Sequence, residues 1–435
     1  MPACLPACLP ISHCFPVIKH KCRVLKTGIY TTTHSMKKQI LLFVVGLFSA
    51  VVAYYATLSV PEAIPNPNVL RGFTAFLDIM APVYAHLPTS IRYFIDRPPI
   101  TNNNPDLNVT ETTLDGIPAI FYRPVGVDDK SLPAVIYLHG GGWMYGSIYQ
   151  FHPMVANVAV SLNRSRPTLV ISVGYRLAPK HKFPAAINDV TRGIVWLLGH
   201  TVELGIDKHR IVVMGDSAGG NLAAAVTQRL TFDVQYKDLP KLRAQILMYP
   251  VLQVFDLKTP SYQQNGRYRT LLLSSVLMAK MFSNYIVGNE TLAPILINNE
   301  HIAPYVRTST SYSKFVSHDL IPEEFKKENY APPDINLGYD HVYNEIKDTV
   351  LNPDFAPLMR PILEGLPEAY ITTCQFDILR DDGILYAKRL EKQNVKTTLR
   401  NYKTGYHGQP IPENSSFLVL HLIDDILKVL EEFTK

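Results

Sequence analysis

The chain has 435 residues, 47% of them hydrophobic and 18% charged. That is enough apolar side chain for a large core, and it excludes a small disulfide-stapled domain. Six cations (Lys19, Lys21, Arg23, Lys26, Lys37 and Lys38) precede residue 40 with no acid among them, so the +5 of the whole chain becomes −1 for the remainder. A nearly neutral body gives no electrostatic case for a nucleic-acid partner.

Cysteine is concentrated in the same N-terminal stretch, as Cys4, Cys8, Cys14 and Cys22, leaving Cys374 alone in the rest of the chain. One cysteine forms no internal disulfide, and Cys4 and Cys8 lack a second ligand pair at zinc-finger spacing, so no metal is expected. Residues 1–39 read as an N-terminal extension; Met36-Lys37-Lys38 looks like a natural start, and residues 1–35 before it show no fold. From Ile40 to Val60 there is no charge. In a helix such a run covers about 30 Å, the hydrocarbon thickness of a bilayer.

Lys37 and Lys38 lie just before this run, and the first charges after it are Glu62 and Arg71. That asymmetry predicts a single-pass anchor with its N-terminus cytosolic and the body of the chain lumenal. A core helix would seldom be apolar on every side. A cleaved signal peptide competes, because Ala50, Ala53 and Ala56 offer cleavage sites; a mitochondrial leader is disfavoured by the single Arg and the spanning run. The sequons at Asn108, Asn163, Asn289 and Asn414 fit a glycosylated lumenal body.

Residues 61–109 carry a helical stretch at Arg71–Ile79 and a polar one at Thr101–Asn108, read as an N-terminal cap segment. After Thr110, short apolar or β-branched runs at Ala134–Leu138, Thr168–Val173, Ile211–Met214, Ala244–Tyr249, Glu368–Thr373 and Thr397–Tyr402 predict strands. Helical patterns at Ala185–Leu198, Ala218–Leu230, Gly383–Gln393 and Phe417–Phe433 alternate with them. This is the pattern of an α/β fold: a mostly parallel sheet with helices on both faces. A Tyr-, Ser-, Asn- and Pro-rich break at about 255–350 predicts a helical cap inserted over the carboxyl ends of the strands, where open α/β sheets bind ligands. Residues 110–435 are therefore taken as one domain carrying this insertion.

The first strand runs into His139-Gly140-Gly141-Gly142-Trp143. Residues without side chains let backbone N–H groups approach a substrate oxygen, so Gly140, Gly141 and Gly142, with the Ala218 N–H, are candidates for an oxyanion hole. His139 and Trp143 support the loop. No G-K-[ST] or G-x-G-x-x-G follows, which argues against a phosphate loop. The run Gly215-Asp216-Ser217-Ala218-Gly219-Gly220 lies between a strand and a helix. In that context G-x-S-x-G is a nucleophile elbow, with Gly215 and Gly219 making room and Asp216 within the motif.

Such a serine needs a base and a carboxylate, in chain order Ser, acid, His. Asp377 is the first acid after the strand Glu368–Thr373, whereas Asp381 and Asp382 are nearer the next helix and expected to cap it. His407 follows the strand Thr397–Tyr402. The expected chemistry is acyl transfer: His407 takes the Ser217 proton, Asp377 fixes the imidazole tautomer, and water releases the acyl group. The base works neutral, so activity should fall as pH drops through about 6–7. No cofactor and no protein partner is implied.

These motifs, with Tyr175–Pro179, resemble the hormone-sensitive-lipase branch of the α/β-hydrolases. The anchor, Asn221–Gln228, Tyr249-Pro250, Ser261-Tyr262-Gln263 and Cys374–Gly383 look like the arylacetamide deacetylase family. The resemblance runs from about Met36 to the C-terminus. It implies an α/β-hydrolase fold and a type II enzyme of the endoplasmic reticulum membrane hydrolysing esters and arylacetamides of apolar molecules, with roles in lipid or xenobiotic metabolism. Residues 1–35 have no counterpart. Met144 stands where the family has a cysteine, so the disulfide the resemblance implies to Cys374 has no partner here. Gln409 and Pro410 follow His407-Gly408 in place of small or aromatic residues. A non-catalytic binder on this scaffold is the rival from another class, and the complete triad argues against it.

Overall fold

The computed structural model describes residues 43–433 apart from 44, 48, 65, 88, 101–103, 128–130, 310, 327–329 and 410–416. The 1–39 extension, the start of the uncharged run, Pro410 and the Asn414 sequon lie outside the described residues. The chain divides into two compact units, Met1–Leu58 and Ser59–Lys435. In the first, the described residues from 43 to 56 are helical. No helix among the described residues is long and apolar enough to cross a membrane.

The second unit is built on an eight-stranded sheet: β1 Leu107–Leu114, β2 Ile117–Pro124, β3 Leu132–Leu138, β4 Leu169–Val173, β5 Ile206–Asp216, β6 Ala244–Met248, β7 Glu368–Phe376 and β8 Thr397–Tyr406. Its order is β1-β2-β4-β3-β5-β6-β7-β8. The six strands from β3 onward are mutually parallel, and the β1–β2 hairpin joins antiparallel through β2 and β4. This hairpin was not expected from the sequence, and β1 begins inside the stretch read as cap.

Pleating sends alternate residues to opposite faces. Ala134, Ile136, Leu138, Ile211 and Val213 face one core, which the helices Ala185–Gly199, Ala218–Phe232 and Arg380–Lys392 cover. Val135, Tyr137, Val212 and Met214 face another, covered by the helices His152–Ser165 and Phe417–Phe433. Burial on both faces explains why β3, β4 and β6 are buried without interruption, whereas the edge strand β8 mixes exposed and half-buried positions.

Between β6 and β7 the chain leaves the sheet and forms short helices, among them Pro260–Asn265, Ser275–Val287 and Asp340–Val350. Their apolar side chains, including Met278, Phe282, Tyr285, Val342 and Ile346, belong to the same core as Leu138 and Trp143. The insertion is thus packed into the body of the unit. Because β3, β5, β7 and β8 are parallel, the residues that follow them, His139, Ser217, Asp377 and His407, emerge at one edge of the sheet.

Candidate active site

Ser217 follows the last residue of β5 and precedes the helix Ala218–Phe232, with φ 54° and ψ −119°. A non-glycine residue at positive φ costs roughly 1–3 kcal/mol and persists only where its surroundings hold it. Here the Ser217 N–H donates to the Met248 carbonyl at 2.9 Å, and the Ser217 carbonyl accepts the Asn221 N–H at 3.0 Å. The glycines on either side have a steric reason. A Cβ on Gly215 would lie 2.3 Å from the Gly219 carbonyl oxygen, and one on Gly219 would lie 2.1 Å from that of Leu138. Only bare backbone lets the helix start this close to β3 and β5, with its unpaired amides and positive dipole end behind the serine.

Ser217 Oγ is 2.9 Å from His407 Nε2, and His407 Nδ1 is 2.7 Å from Asp377 Oδ2. The other Asp377 oxygen accepts the Leu379 N–H at 2.9 Å. Asn265 clamps the same turn from the insertion, donating to the Asp377 carbonyl at 3.1 Å. Asp377 is 1% exposed, while Ser217 and His407 each retain 8%, so the serine and imidazole are the members nearest solvent. The edge of the His407 ring meets Tyr249 with centroids 4.9 Å apart, and the Gln409 side chain accepts the Tyr406 N–H at 3.1 Å, closing the turn that carries the imidazole.

The glycine loop lies beside this chain of bonds. Gly141, Gly142 and Trp143 all have positive φ, at 114°, 61° and 58°. Trp143 is fully buried and stacks on Tyr285 at 4.6 Å, anchoring the loop in the insertion's aromatic cluster. His139 stacks on Tyr175 at 4.3 Å and shares a hydrogen bond with it. Burial pulls the His139 imidazole down to about 4, which keeps it neutral and fits the supporting place expected of it.

One expectation changes. The Gly140 N–H donates to Asp216 Oδ1 at 2.8 Å, so this amide is already engaged and is not a free oxyanion donor. Gly141, Gly142 and Ala218 remain as candidates. Asp216 also accepts the Tyr137 hydroxyl at 2.6 Å, and burial raises its carboxyl to about 6 in spite of both donors.

Asp381 and Asp382 do not cap their helix. They are fully buried in its first turn; Asp381 accepts the Ser261 N–H at 2.6 Å, and Asp382 accepts the Leu252 N–H at 2.9 Å. They bind the insertion's backbone to the sheet. Asn221, Tyr249, Asn265 and Met281 surround the site and were not singled out from the sequence for any role. Asn221 and Tyr249 lie within the quoted family pattern, which gave no hint of their contacts.

Of the sequons, Asn108 and Asn289 are exposed. Asn163 is half-buried, with its amide nitrogen covered. Cys374 is a buried free thiol, and Met144 is half-buried beside the core.

The pattern of the α/β hydrolase fold family matches residues 135–309 and 302–410. Rat (Rattus norvegicus) neutral cholesterol ester hydrolase 1 is 34% identical over 377 residues, covering 82% of this chain and 90% of that protein. Rabbit (Oryctolagus cuniculus) arylacetamide deacetylase is 33% identical over 390 residues, covering 85% and 93%. Among solved structures, the hyperthermophilic esterase from Pyrobaculum calidifontis superposes with a TM-score of 0.57 at 27% identity, covering 76% of this chain and 87% of that one. The chain belongs to the α/β-hydrolase family, among relatives that include arylacetamide deacetylase and neutral cholesterol ester hydrolase.

Proposed function

We propose that this enzyme is a membrane-anchored serine esterase that cleaves carboxylic esters of apolar molecules through an acyl-enzyme. The observation that carries the reading is the unbroken path of hydrogen bonds from Ser217 Oγ through His407 to Asp377, at 2.9 Å and 2.7 Å. Those spacings are those of a nucleophile, its base and the group that orients the base.

His407 takes the hydroxyl proton as Ser217 attacks the carbonyl carbon. The oxygen that becomes negative is received by the amides of Gly141, Gly142 and Ala218, backed by the helix dipole. His407 returns the proton to the leaving alcohol, and water attacks the acyl-serine by the same route in reverse. Asp377 holds the Nδ1 tautomer.

Substrates of the lipid-ester and arylacetamide classes are supported by the names of the relatives. The uncharged run Ile40–Val60, with Lys37 and Lys38 just before it and no basic residue after it until Arg71, supports a type II anchor in the endoplasmic reticulum membrane with the catalytic domain lumenal. In that setting Asn108 and Asn289 are the exposed sequons among the described residues, and the cap is formed by the helices that precede β1 together with the insertion at about 255–350.

Rapid mixing with a nitrophenyl ester tests the mechanism. A burst of nitrophenolate equal to the enzyme present, absent from Ser217→Ala, is the expected result. Steady release without a burst, unchanged in Ser217→Ala, would exclude it.

A further inference from the structure

The helix Pro67–His86 exposes an unusual surface. Val69, Phe73, Phe76, Ile79, Met80 and Val83 are between 38% and 56% exposed, while Leu70 and Thr74 on the other side are 3% and 6%. At about 100° per residue, the six exposed side chains and Gly72 fall within one arc of about 120°, which contains no charged or polar residue. The two charges of the helix lie opposite, and Asp78 is paired with Arg269 at 2.8 Å. Ile91 and Ile95 of the following helix, Thr89–Asp96, are also about half exposed. Single exposed apolar residues are ordinary, but a contiguous face of this kind marks an interaction surface.

Two observations identify the occupant. Ser59, at the end of the uncharged run, is fixed to this unit: its carbonyl accepts the Thr270 hydroxyl at 2.8 Å, and Val60 packs with Ile64, Leu70, Leu271 and Phe376. Only residues 61–66 separate the run from the apolar helix, a reach of at most about 20 Å. A cavity of about 1010 Å³ meets this face at Phe76 and is lined also by Ile95, Met144 and Ile148 and by the ion pair of Arg176 with Asp189.

We infer that the face from Val69 to Val83 lies in the headgroup–acyl boundary of a lipid bilayer, with the mouth of this cavity open to the lipid. This rests on the membrane-anchor reading. A helix with one wholly apolar arc is the form that lies in a membrane interface. Substrate dissolved in the bilayer then reaches the glycine-loop side of the enzyme without crossing bulk water.

The test uses the full chain in phosphatidylcholine vesicles with brominated acyl chains, which quench nearby tryptophan. Ile79→Trp and Met80→Trp should lose emission relative to the same variants in unbrominated vesicles, while Val202→Trp, at a residue 91% exposed and outside this face, should not. If Ile79→Trp and Met80→Trp stay as bright as Val202→Trp while the enzyme floats with the vesicles, the inference fails and the anchor stands. If the enzyme does not float and nothing is quenched, both fail. Unquenched tryptophans whose emission shifts blue with enzyme concentration would give the face to a second copy of the chain and overturn the inference.

A kinetic arm separates this role from a purely structural one. Phe73→Ser combined with Ile79→Ser and Met80→Ser should leave hydrolysis of water-soluble nitrophenyl acetate unchanged. It should lower hydrolysis of a long-chain ester presented in vesicles several-fold. Equal losses on both substrates would contradict the inference.

Discussion

The Gly140 N–H donates to Asp216 Oδ1, so the turn that presents Ser217 also holds the glycine loop in place. The neighbouring serine and the glycine loop that carries the candidate oxyanion donors are therefore set by one carboxylate, which Tyr137 fixes from β3.

That coupling makes Asp216 a positioning residue. Asp216→Asn keeps the shape but weakens a charge-assisted pair, and kcat should fall about tenfold with KM little changed. Asp216→Ala strands the Tyr137 hydroxyl and the Gly140 N–H in the core. It should cost on the order of 2–4 kcal/mol in stability and approach the ~10²–10³ loss in kcat of a deleted oxyanion donor. Steady-state kinetics with a thermal melt on each variant checks both.

Met281, from the insertion, determines what the glycine loop tolerates. A Cβ on Gly142 would lie 2.2 Å from Met281 Sδ, and the residue already has φ 61°. Gly142→Ala should lower kcat sharply, and adding Met281→Ala should restore much of it, leaving a residual cost of about 1–2 kcal/mol for the left-handed backbone. At Gly141 the corresponding Cβ would strike the Tyr145 backbone at 2.2 Å, so Gly141→Ala should show no rescue by Met281→Ala. A double-mutant cycle in kcat/KM measures the difference.

The acids after β7 should divide by role. Asp377→Asn leaves the geometry but destabilises the needed tautomer of His407, and kcat should fall by about 10⁴ with little change in Tm. Asp381 binds the Ser261 N–H and Arg380 instead, so Asp381→Asn should lower Tm first. Parallel melts and kinetics on the two variants decide it.

Asp382 should impose a pH dependence on stability. Burial raises its carboxyl from 3.8 to about 7, against the pull of the Leu252 and Gln253 donors. The folded state then binds a proton that the unfolded chain has released between about pH 4 and 7. The stability this contributes is complete below pH 4 and is lost as pH rises through 7. Since Asp382→Asn does not titrate, the gap in unfolding free energy between wild type and variant should narrow as pH goes from 5 to 8. A gap that is constant or widens would refute the assignment.

The parallel sheet was readable because strands buried on both faces must be continuous apolar runs, as Ala134–Leu138 and Ile211–Met214 are. Ser217, Asp377 and His407 were readable because each follows such a run, and parallel strands put their ends together. The β1–β2 hairpin was missed because Thr and Glu dominate its edge strand, β1, whose exposed and half-buried positions need no apolar side chains. The helix His152–Ser165 was missed because Asn157, Ser161, Asn163 and Arg164 dilute its apolar stripe. Long-range partners outside this triad were beyond local reasoning. The Gly140 amide is engaged by a residue 76 positions away, and Asp382 by one 130 positions away. Nothing at those positions announces the pairing, so Gly140 reads as an open donor and Asp382 as a helix cap.

The most direct test of the account is the site of covalent modification by a fluorophosphonate. Intact-mass and peptide mapping should find one adduct, on Ser217, with esterase activity lost in proportion. Folded Ser217→Ala should take up no label and hydrolyse no ester. An adduct on another residue, or undiminished hydrolysis by Ser217→Ala, would contradict the role given to this serine and the chemistry built on it.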